Sequence, residues 1–260
     1  MDSRVVTLDT CLFVCNWAIE DRKNLWAEAQ HRLAGGRFME LGHARPRNMP
    51  ATWAFAGRSA RFTRHYSGGD GTRMGVFAMF TGLYGPYWFS SLSSGRGAVI
   101  VDLLIDEGYQ LDLRTSAMFT YPEFDRTIFS RVPRERMHEA APALGWIADR
   151  ANVDGLLEFP EKRDPSKPFM TFMFFESPHA PYEFPPECAI QNPYLQVVNY
   201  LAMDPKRDAP GLKRRYANSC THLDTQFDRV IGFPEKKGLL DSTIVILTGD
   251  HGEEFMEKGR

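Results

Sequence analysis

Asp250 and His251 are neighbouring residues whose side chains could do chemistry together. They follow a β-branched run at 242–248 and lie between Gly249 and Gly252. A carboxylate oxygen and an imidazole nitrogen are both ligands of divalent cations, and neighbours on a turn can reach one ion. Flanking glycines let the backbone approach a ligand closely. Taken alone, the pair also fits an Asp that caps a helix beside a surface His.

A glycine-rich loop at 65–71 leads to Thr72, and an apolar segment that can start a helix follows it. A hydroxyl at a helix N-terminus lies beside backbone N–H groups and the positive end of the helix dipole. There Thr72 could act as a metal-activated nucleophile toward an anionic ester. The structural alternative is an N-cap, because Thr is common in that role after a glycine-rich turn.

His179 and Asp9 are two further candidates. His179 directly follows an apolar run at 169–175, and prolines on both sides favour an extended loop. It could bind metal, hold a phosphoryl oxygen or protonate a leaving group, with a structural or surface His as the alternative. Asp9 ends a short β-branched run at 4–8, and its carboxylate could complete a metal shell. An ordinary strand-end Asp is the alternative there.

Strands that alternate with helices must position these candidates. The patterns predict strands at 4–8, 111–113, 169–175 and 242–248, helices at 18–33, 98–107, 141–150 and 212–231, and a loop at 160–168. This alternation predicts an α/β fold with a mostly parallel central sheet flanked by helices. Such sheets bind ligands beyond the carboxyl ends of their strands. We therefore expect the candidates to converge at that edge.

The composition is that of a globular protein, with 43% apolar and 25% charged residues among 260. A net charge of −2 gives no basic excess and argues against nucleic acid as a partner. The apolar stretch at 75–89 is interrupted by glycine and proline and is too short for a membrane span. The chain therefore resembles a soluble protein, or a soluble domain of a larger one. The four cysteines are interpreted as small buried hydrophobes.

Three motifs together resemble the sulfatase-like branch of the alkaline phosphatase superfamily. They are Thr-Gly-Asp-His-Gly-Glu-Glu-Phe at 248–255, Phe-Phe-Glu-Ser-Pro-His-Ala-Pro-Tyr at 174–182 and His-Tyr-Ser-Gly-Gly-Asp-Gly-Thr-Arg-Met-Gly at 65–75. The last two are similar to the periplasmic domain of YejM-type inner-membrane proteins linked to lipopolysaccharide assembly. The resemblance covers most of 52–260 and is poor over 10–50. It implies one alkaline phosphatase-like domain over 1–260, incomplete at its C-terminus, on the periplasmic side of the inner membrane.

By this resemblance Asp250 and His251 match the family's paired metal ligands. Thr72 matches the nucleophile, which also touches the metal, and Asp9 matches the acidic ligand after the first strand. His179 matches the histidine that faces the substrate or a second metal. True sulfatases carry at the Thr72 position a cysteine that becomes formylglycine, whereas Thr resembles the superfamily's phosphoethanolamine and glycerolphosphate transferases. The resemblance thus implies a hydrolase or phosphotransferase dependent on Zn, Mn or Mg, acting on a small-molecule or lipid phosphate ester and less readily on a sulfate ester.

Two other functions remain open. The same fold can serve as a non-catalytic regulator of envelope lipopolysaccharide assembly that binds membrane lipid or an envelope protein. The aromatic segment at 80–89 could face such a partner, with core packing as the alternative. A truncated, inactive remnant is the third possibility, because the sequence stops at Arg260 where relatives usually continue to a further histidine.

Overall fold

The computed structural model describes residues 10–16, 47–62, 66–69, 71–252 and 255, the first of these ranges as backbone. Its strands and α-helices, in chain order, are β1 (Thr10–Asn16), α1 (Pro50–Gly57), α2 (Thr72–Thr81), α3 (Trp88–Ser94), α4 (Val99–Asp106), β2 (Gln110–Thr115), β3 (Met137–Glu139), α5 (Gly145–Lys162), β4 (Phe169–Phe174), α6 (Pro205–Lys236) and β5 (Thr243–Gly249). The predicted strand at 4–8 and the predicted helix at 18–33 lie outside the described residues.

The described strands form one sheet in the order β3-β2-β4-β1-β5. β2 is parallel to both β3 and β4, whereas β1 is antiparallel to both β4 and β5. β4 and β5 therefore point the same way on either side of β1. The predicted α/β fold with a mostly parallel sheet is confirmed, and the reversed β1 is an addition that the sequence patterns did not indicate.

β4 is the centre of the core. Its six residues are all buried, and alternate side chains of a strand point to opposite faces. Met170, Phe172 and Phe174 pack into a cluster with α2, α4 and β2. Phe169 and Met173 pack on the other face with α5 and α6. Helices thus cover both faces of the sheet, which explains why β4 reads as a continuous apolar run rather than an alternating one.

Most predicted elements are confirmed, but several bounds were wrong. The helix expected at 141–150 continues to Lys162, so the loop expected from Pro160 begins only at Arg163. The helix expected at 212–231 spans Pro205–Lys236 and contains Pro234, which was placed beyond it. A proline past the first turn removes its own N–H from the helix ladder and crowds the carbonyl of residue i−4, and each of these helices ends two residues after its last proline. β5 was expected to be buried, but Thr243–Leu247 are half-buried because β5 ends the described sheet.

The aromatic segment at 80–89 divides between the two interpretations. Phe80 and Trp88 are buried, as core packing predicts. Tyr84, Tyr87 and Phe89 are 75%, 57% and 63% exposed. The core interpretation is therefore wrong for these three rings.

Among the cysteines, Cys188 and Cys220 are buried free thiols, and burial raises their pKa to about 11 and about 12.

Candidate active site

Asp250 and His251 follow β5 directly, as expected. Asp250 is 1% exposed, and the His251 side chain is 14% exposed. The backbone of Asp250 lies against α2, where a Cβ on Gly75 would be 2.2 Å from the Asp250 carbonyl oxygen. Because only glycine permits so close an approach, Gly75 sets how near α2 comes to the pair.

The loop before α2 holds the same turn. The Ser67 hydroxyl donates a hydrogen bond to the Asp250 carbonyl oxygen. Gly68 and Gly69 lie so close to α2 that a Cβ on either would be 2.2 Å from a side-chain Cβ of that helix. The glycine-rich loop is thus a close-packed strap between α2 and the end of β5. Sequence reasoning missed Ser67, because a lone serine gives no signal of a partner 183 residues away.

Thr72 is the first residue of α2, and Gly71 is its N-cap. The interpretation of Thr72 as an N-cap is therefore wrong. Its hydroxyl oxygen Oγ1 lies instead 3.3 Å from Nε2 of His251. The N-terminus of α2 and the carboxyl end of β5 meet at this contact, which joins two of the predicted site residues.

The orientation of the His251 ring follows from its second nitrogen. Nδ1 lies 2.9 Å from the Gly252 carbonyl oxygen. Because a carbonyl oxygen only accepts, Nδ1 carries the hydrogen, and in the neutral imidazole Nε2 then presents its lone pair to Thr72. Nε2 is also 3.8 Å from Oδ2 of Asp250. Histidines that bind metals are oriented in the same way, by a hydrogen bond from the other ring nitrogen to a carbonyl or carboxylate.

The distances between Thr72 Oγ1, His251 Nε2 and Asp250 Oδ2 suit the ligands of one divalent cation. Two ligands, each about 2.1 Å from a zinc-sized cation and at the tetrahedral angle, lie about 3.4 Å apart. The distances of 3.3 Å from Thr72 to His251 and 3.8 Å from His251 to Asp250 are close to that value. Within the described ranges no three His, Cys, Asp or Glu side chains are grouped to hold a metal. Asp9, the predicted fourth ligand, lies outside those ranges.

His179 lies at the same edge of the sheet but on another strand. It follows β4, and β1 separates β4 from β5, so the two strands are two spacings, about 10 Å, apart. The His179 side chain is 51% exposed. Its Nδ1 faces the Ala180 carbonyl oxygen at 2.8 Å and the Glu176 carboxylate at 3.5 Å. The structure thus brings the Thr72, Asp250 and His251 side chains together, whereas His179 follows β4, which β1 separates from β5.

A cavity of about 250 Å³ adjoins the site. Asp250 and Gly249 form one wall, and the face of α2 that carries Gly75 forms another. Tyr66 and Tyr84 also line the cavity, although their side chains are largely exposed at 65% and 75%. The cavity extends from Asp250 along α2 toward Gly82, and neither Thr72 nor His251 lines it.

The family of the chain is decided by comparison with known proteins. A family model described as Sulfatase matches residues 28–260. The chain belongs to the sulfatase family. This assignment agrees with the α/β fold and with the motif at 248–255, which carries the Asp250–His251 pair of the site.

Relatives within the sulfatase family differ in what their names say. Inner membrane protein YejM of Salmonella typhimurium is 26% identical over 209 residues, which cover 79% of this chain and 30% of YejM. An endo-4-O-sulfatase of Bacteroides thetaiotaomicron is 29% identical over 124 residues, 45% of this chain and 23% of that protein. An arylsulfatase of Clostridium perfringens is 28% identical over 129 residues, 42% of this chain and 26% of that protein. The chain therefore spans less than a third of the length of these relatives. None of the helices described here has the length and apolar character of a membrane span.

Proposed function

We propose that this sulfatase-family chain carries a metal-dependent centre that cleaves a phosphate ester with Thr72 as the nucleophile. The observation that supports this most is the 3.3 Å distance between Thr72 Oγ1 and His251 Nε2, beside the buried Asp250. Formylglycine chemistry starts from a cysteine, so a threonine at this position favours phosphate over sulfate. The substrate class is a small-molecule or lipid phosphoester.

Thr72, Asp250 and His251 are the described residues that would hold the cation, with Asp9 as a further ligand by its place in the sequence. Hard carboxylate oxygen and imidazole nitrogen suit Zn, Mn or Mg. A bound divalent ion favours the deprotonated form of the hydroxyl and offsets the negative charge that develops on the phosphoryl oxygens.

The chain's own residues carry the bond changes. Thr72 Oγ1, whose proton passes to solvent water, forms a bond to phosphorus while the P–O bond to the leaving alcohol breaks, and the electron pair of that bond goes to the alcohol oxygen. The first N–H groups of α2 have no acceptor within the helix and can donate to the phosphoryl oxygens. His179 supplies the proton to the leaving oxygen. Water then releases the phosphoryl group from Thr72 in a hydrolase, or an acceptor hydroxyl takes it in a transferase.

The test is turnover of an aryl phosphate diester by the full chain, after metal removal and after return of Zn, Mn or Mg, with an aryl sulfate measured in parallel. Thr72→Ala should lower kcat by about 1,000-fold or more, as loss of a nucleophile does. Thr81→Ala is the matched control, because Thr81 ends the same helix and its hydroxyl bonds only to main-chain atoms in the contacts resolved here. Unchanged turnover in Thr72→Ala removes Thr72 from the nucleophile role.

A second candidate function is supported by the exposed rings of Tyr84, Tyr87 and Phe89. We propose as this alternative a non-catalytic regulator of lipopolysaccharide assembly that binds lipid or an envelope protein at the periplasmic face of the inner membrane. The YejM relative is named for the inner membrane. Cosedimentation with lipopolysaccharide-containing vesicles, compared with Tyr84→Ser/Phe89→Ser, tests it. Binding that depends on these rings, without turnover in the metal-loaded chain, would favour this function over the first.

A further inference from the structure

A buried carboxylate lies under the segment that carries His179, and the bond changes above do not use it. Asp149 on α5 is 0% exposed. Its Oδ1 accepts the backbone N–H of Glu176 at 2.8 Å, and its Oδ2 accepts that of Ser177 at 3.0 Å. These two amides belong to the second and third residues after β4 ends at Phe174. Asp149 thus accepts backbone hydrogen bonds from the segment that follows the last residue of β4 paired in the sheet.

The cost of burying a carboxylate indicates that this contact is specific. A buried ionised group is strongly unfavourable unless hydrogen-bond donors surround it. Two consecutive N–H groups supply such donors, and charge-assisted hydrogen bonds of this kind are about twice as strong as neutral ones. The hydrogen bonds therefore fix the direction in which the chain leaves β4, two residues before His179.

The far end of the same segment is held by α6. Nε of Arg215 donates to the Pro181 carbonyl oxygen at 2.7 Å, and the Ser219 hydroxyl donates to the Glu183 carbonyl oxygen at 3.0 Å. The ring of Tyr182 packs edge-on against Tyr216 of α6. The segment 176–183, which we call the His179 loop, is therefore anchored to one helix at its start and to another at its end. The half-exposed His179 side chain lies between the two anchors.

We propose that Asp149 is a positioning residue that aims His179 at the substrate by fixing the start of the His179 loop. The proposal rests on the proposed phosphoester cleavage and on His179 as the proton donor. Asp149 touches neither substrate nor cation. Its effect passes through the two amides, because a loop that leaves β4 in another direction carries the imidazole away from the leaving oxygen.

The buried surroundings of Asp149 raise its pKa, so that the carboxyl group changes its charge near neutral pH. Burial raises its pKa to about 6, against the lowering effect of hydrogen bonds from Ser116, Ser177 and the Glu176 amide. His222 of α6 faces it, with Nε2 3.9 Å from Asp149 Oδ2, and burial lowers the His222 pKa to about 4. The charged side chains that act on His222 are Arg150 of α5 and Glu187. Above about pH 6 the loop is thus held by an ionised Asp149 beside a neutral imidazole.

The experiment compares Asp149→Asn with Asp154→Asn in the full, metal-loaded chain. Asn keeps the shape of Asp149 but turns one acceptor into a donor. Asp154 lies on the same helix, is exposed and pairs with Arg229 at the surface, so its change removes the same charge. We expect Asp149→Asn to lower kcat about 10- to 100-fold with KM within about 2-fold, because misplacing a catalytic group by about 1 Å costs that much. We also expect amide exchange to quicken at Glu176 and Ser177.

Each outcome decides the proposal. Unchanged kcat in Asp149→Asn overturns it, as does an equal loss in Asp154→Asn. Asp149→Glu, which keeps the charge, should recover part of the loss.

If the wild-type chain itself has no turnover, the proposed function fails, and amide exchange with the NMR titration of His179 still decides whether Asp149 fixes the loop. If Asp149→Asn does not fold, the wild-type protein carries the test: protection of the two amides should fall below about pH 6, and constant protection from pH 7 to 5 would overturn the proposal.

Discussion

Gly75 shows how one residue can position a site without taking part in its chemistry. A Cβ there would meet the Asp250 carbonyl oxygen at 2.2 Å, whereas a Cβ on Gly232 of α6 would meet nothing within 4 Å. We expect Gly75→Ala to lower the free energy of unfolding by about 1–3 kcal/mol, as overpacking does. It should also lower turnover, because Asp250 must move.

Gly232→Ala is the matched control for this prediction and should stabilise the fold by about 0.4–1 kcal/mol. Urea unfolding and turnover of the two variants provide the measurement. Equal stability of Gly75→Ala and the wild-type chain would contradict the close approach of α2 to Asp250.

His222 and Asp149 should affect stability with opposite dependences on pH. Burial lowers the His222 pKa to about 4, so between about pH 4 and 6.5 the unfolded chain binds a proton that the native chain does not, and stability rises with pH. Burial raises the Asp149 pKa to about 6. Between about pH 4 and 6 the native chain therefore binds the extra proton, and stability falls as pH rises.

We expect His222→Gln to remove the first of these slopes. The free energy of unfolding of the wild-type chain, relative to this variant, should then rise by roughly 3 kcal/mol from pH 4 to 6.5, because one pKa unit corresponds to about 1.4 kcal/mol. Asp149→Asn should show the opposite trend. Urea unfolding at several pH values measures both. Plots of unfolding free energy against pH that stay parallel to the wild-type plot would show that neither group titrates differently in the native and unfolded chains.

At the scale of elements, α1 depends on α6 for its N-terminal cap. The N-cap of α1, Met49, makes no side-chain capping bond. Asp224 of α6, which is 3% exposed, accepts the N–H groups of Ala51 at 2.9 Å and Thr52 at 2.7 Å instead. One buried side chain thus both caps α1 and fixes it to α6.

Asp224→Ala should lower the free energy of unfolding by about 2 kcal/mol, because it leaves two N–H groups without their acceptor. Asp228→Ala, an exposed site one turn later on α6, should change it by less than about 0.5 kcal/mol. Chemical unfolding of both variants makes the comparison. A loss as large in Asp228→Ala would mean that the cap is not the cause.

The sequence predicts an element well where its signals, such as apolar spacing and an end residue, lie within the element or next to it. Helix α4 was expected at 98–107 and spans Val99–Asp106, since its apolar spacing and Gly108, which has a φ of +76°, are local signals. The reversed direction of β1 could not be predicted, because pairing direction depends on partners more than 150 residues away.

The candidate site divides in the same way. Asp250 and His251 stand out in the sequence because glycines and a strand end surround them. Asp149 and Ser67 do not, because each acts on backbone atoms of a distant segment. Type and spacing therefore predict the residues that face a ligand, whereas residues that hold other residues in place become visible only in the fold.

At the scale of the whole molecule, the site depends on segments from opposite ends of the chain. Thr72 and His251 are 179 residues apart in sequence, and the strap before α2 and the end of β5 bring them into contact. The sulfatase-family match runs through both segments. The chain spans less than a third of the length of its YejM relatives, so the activity and partners of those proteins enter here as proposals.

Anomalous diffraction from crystals of the chain soaked in zinc or manganese locates the cation directly. We expect an anomalous peak about 2.0–2.2 Å from a carboxylate oxygen of Asp250 and from Nε2 of His251, with Oγ1 of Thr72 also bound. A peak bound by other side chains, or no peak at saturating metal, would contradict this expectation.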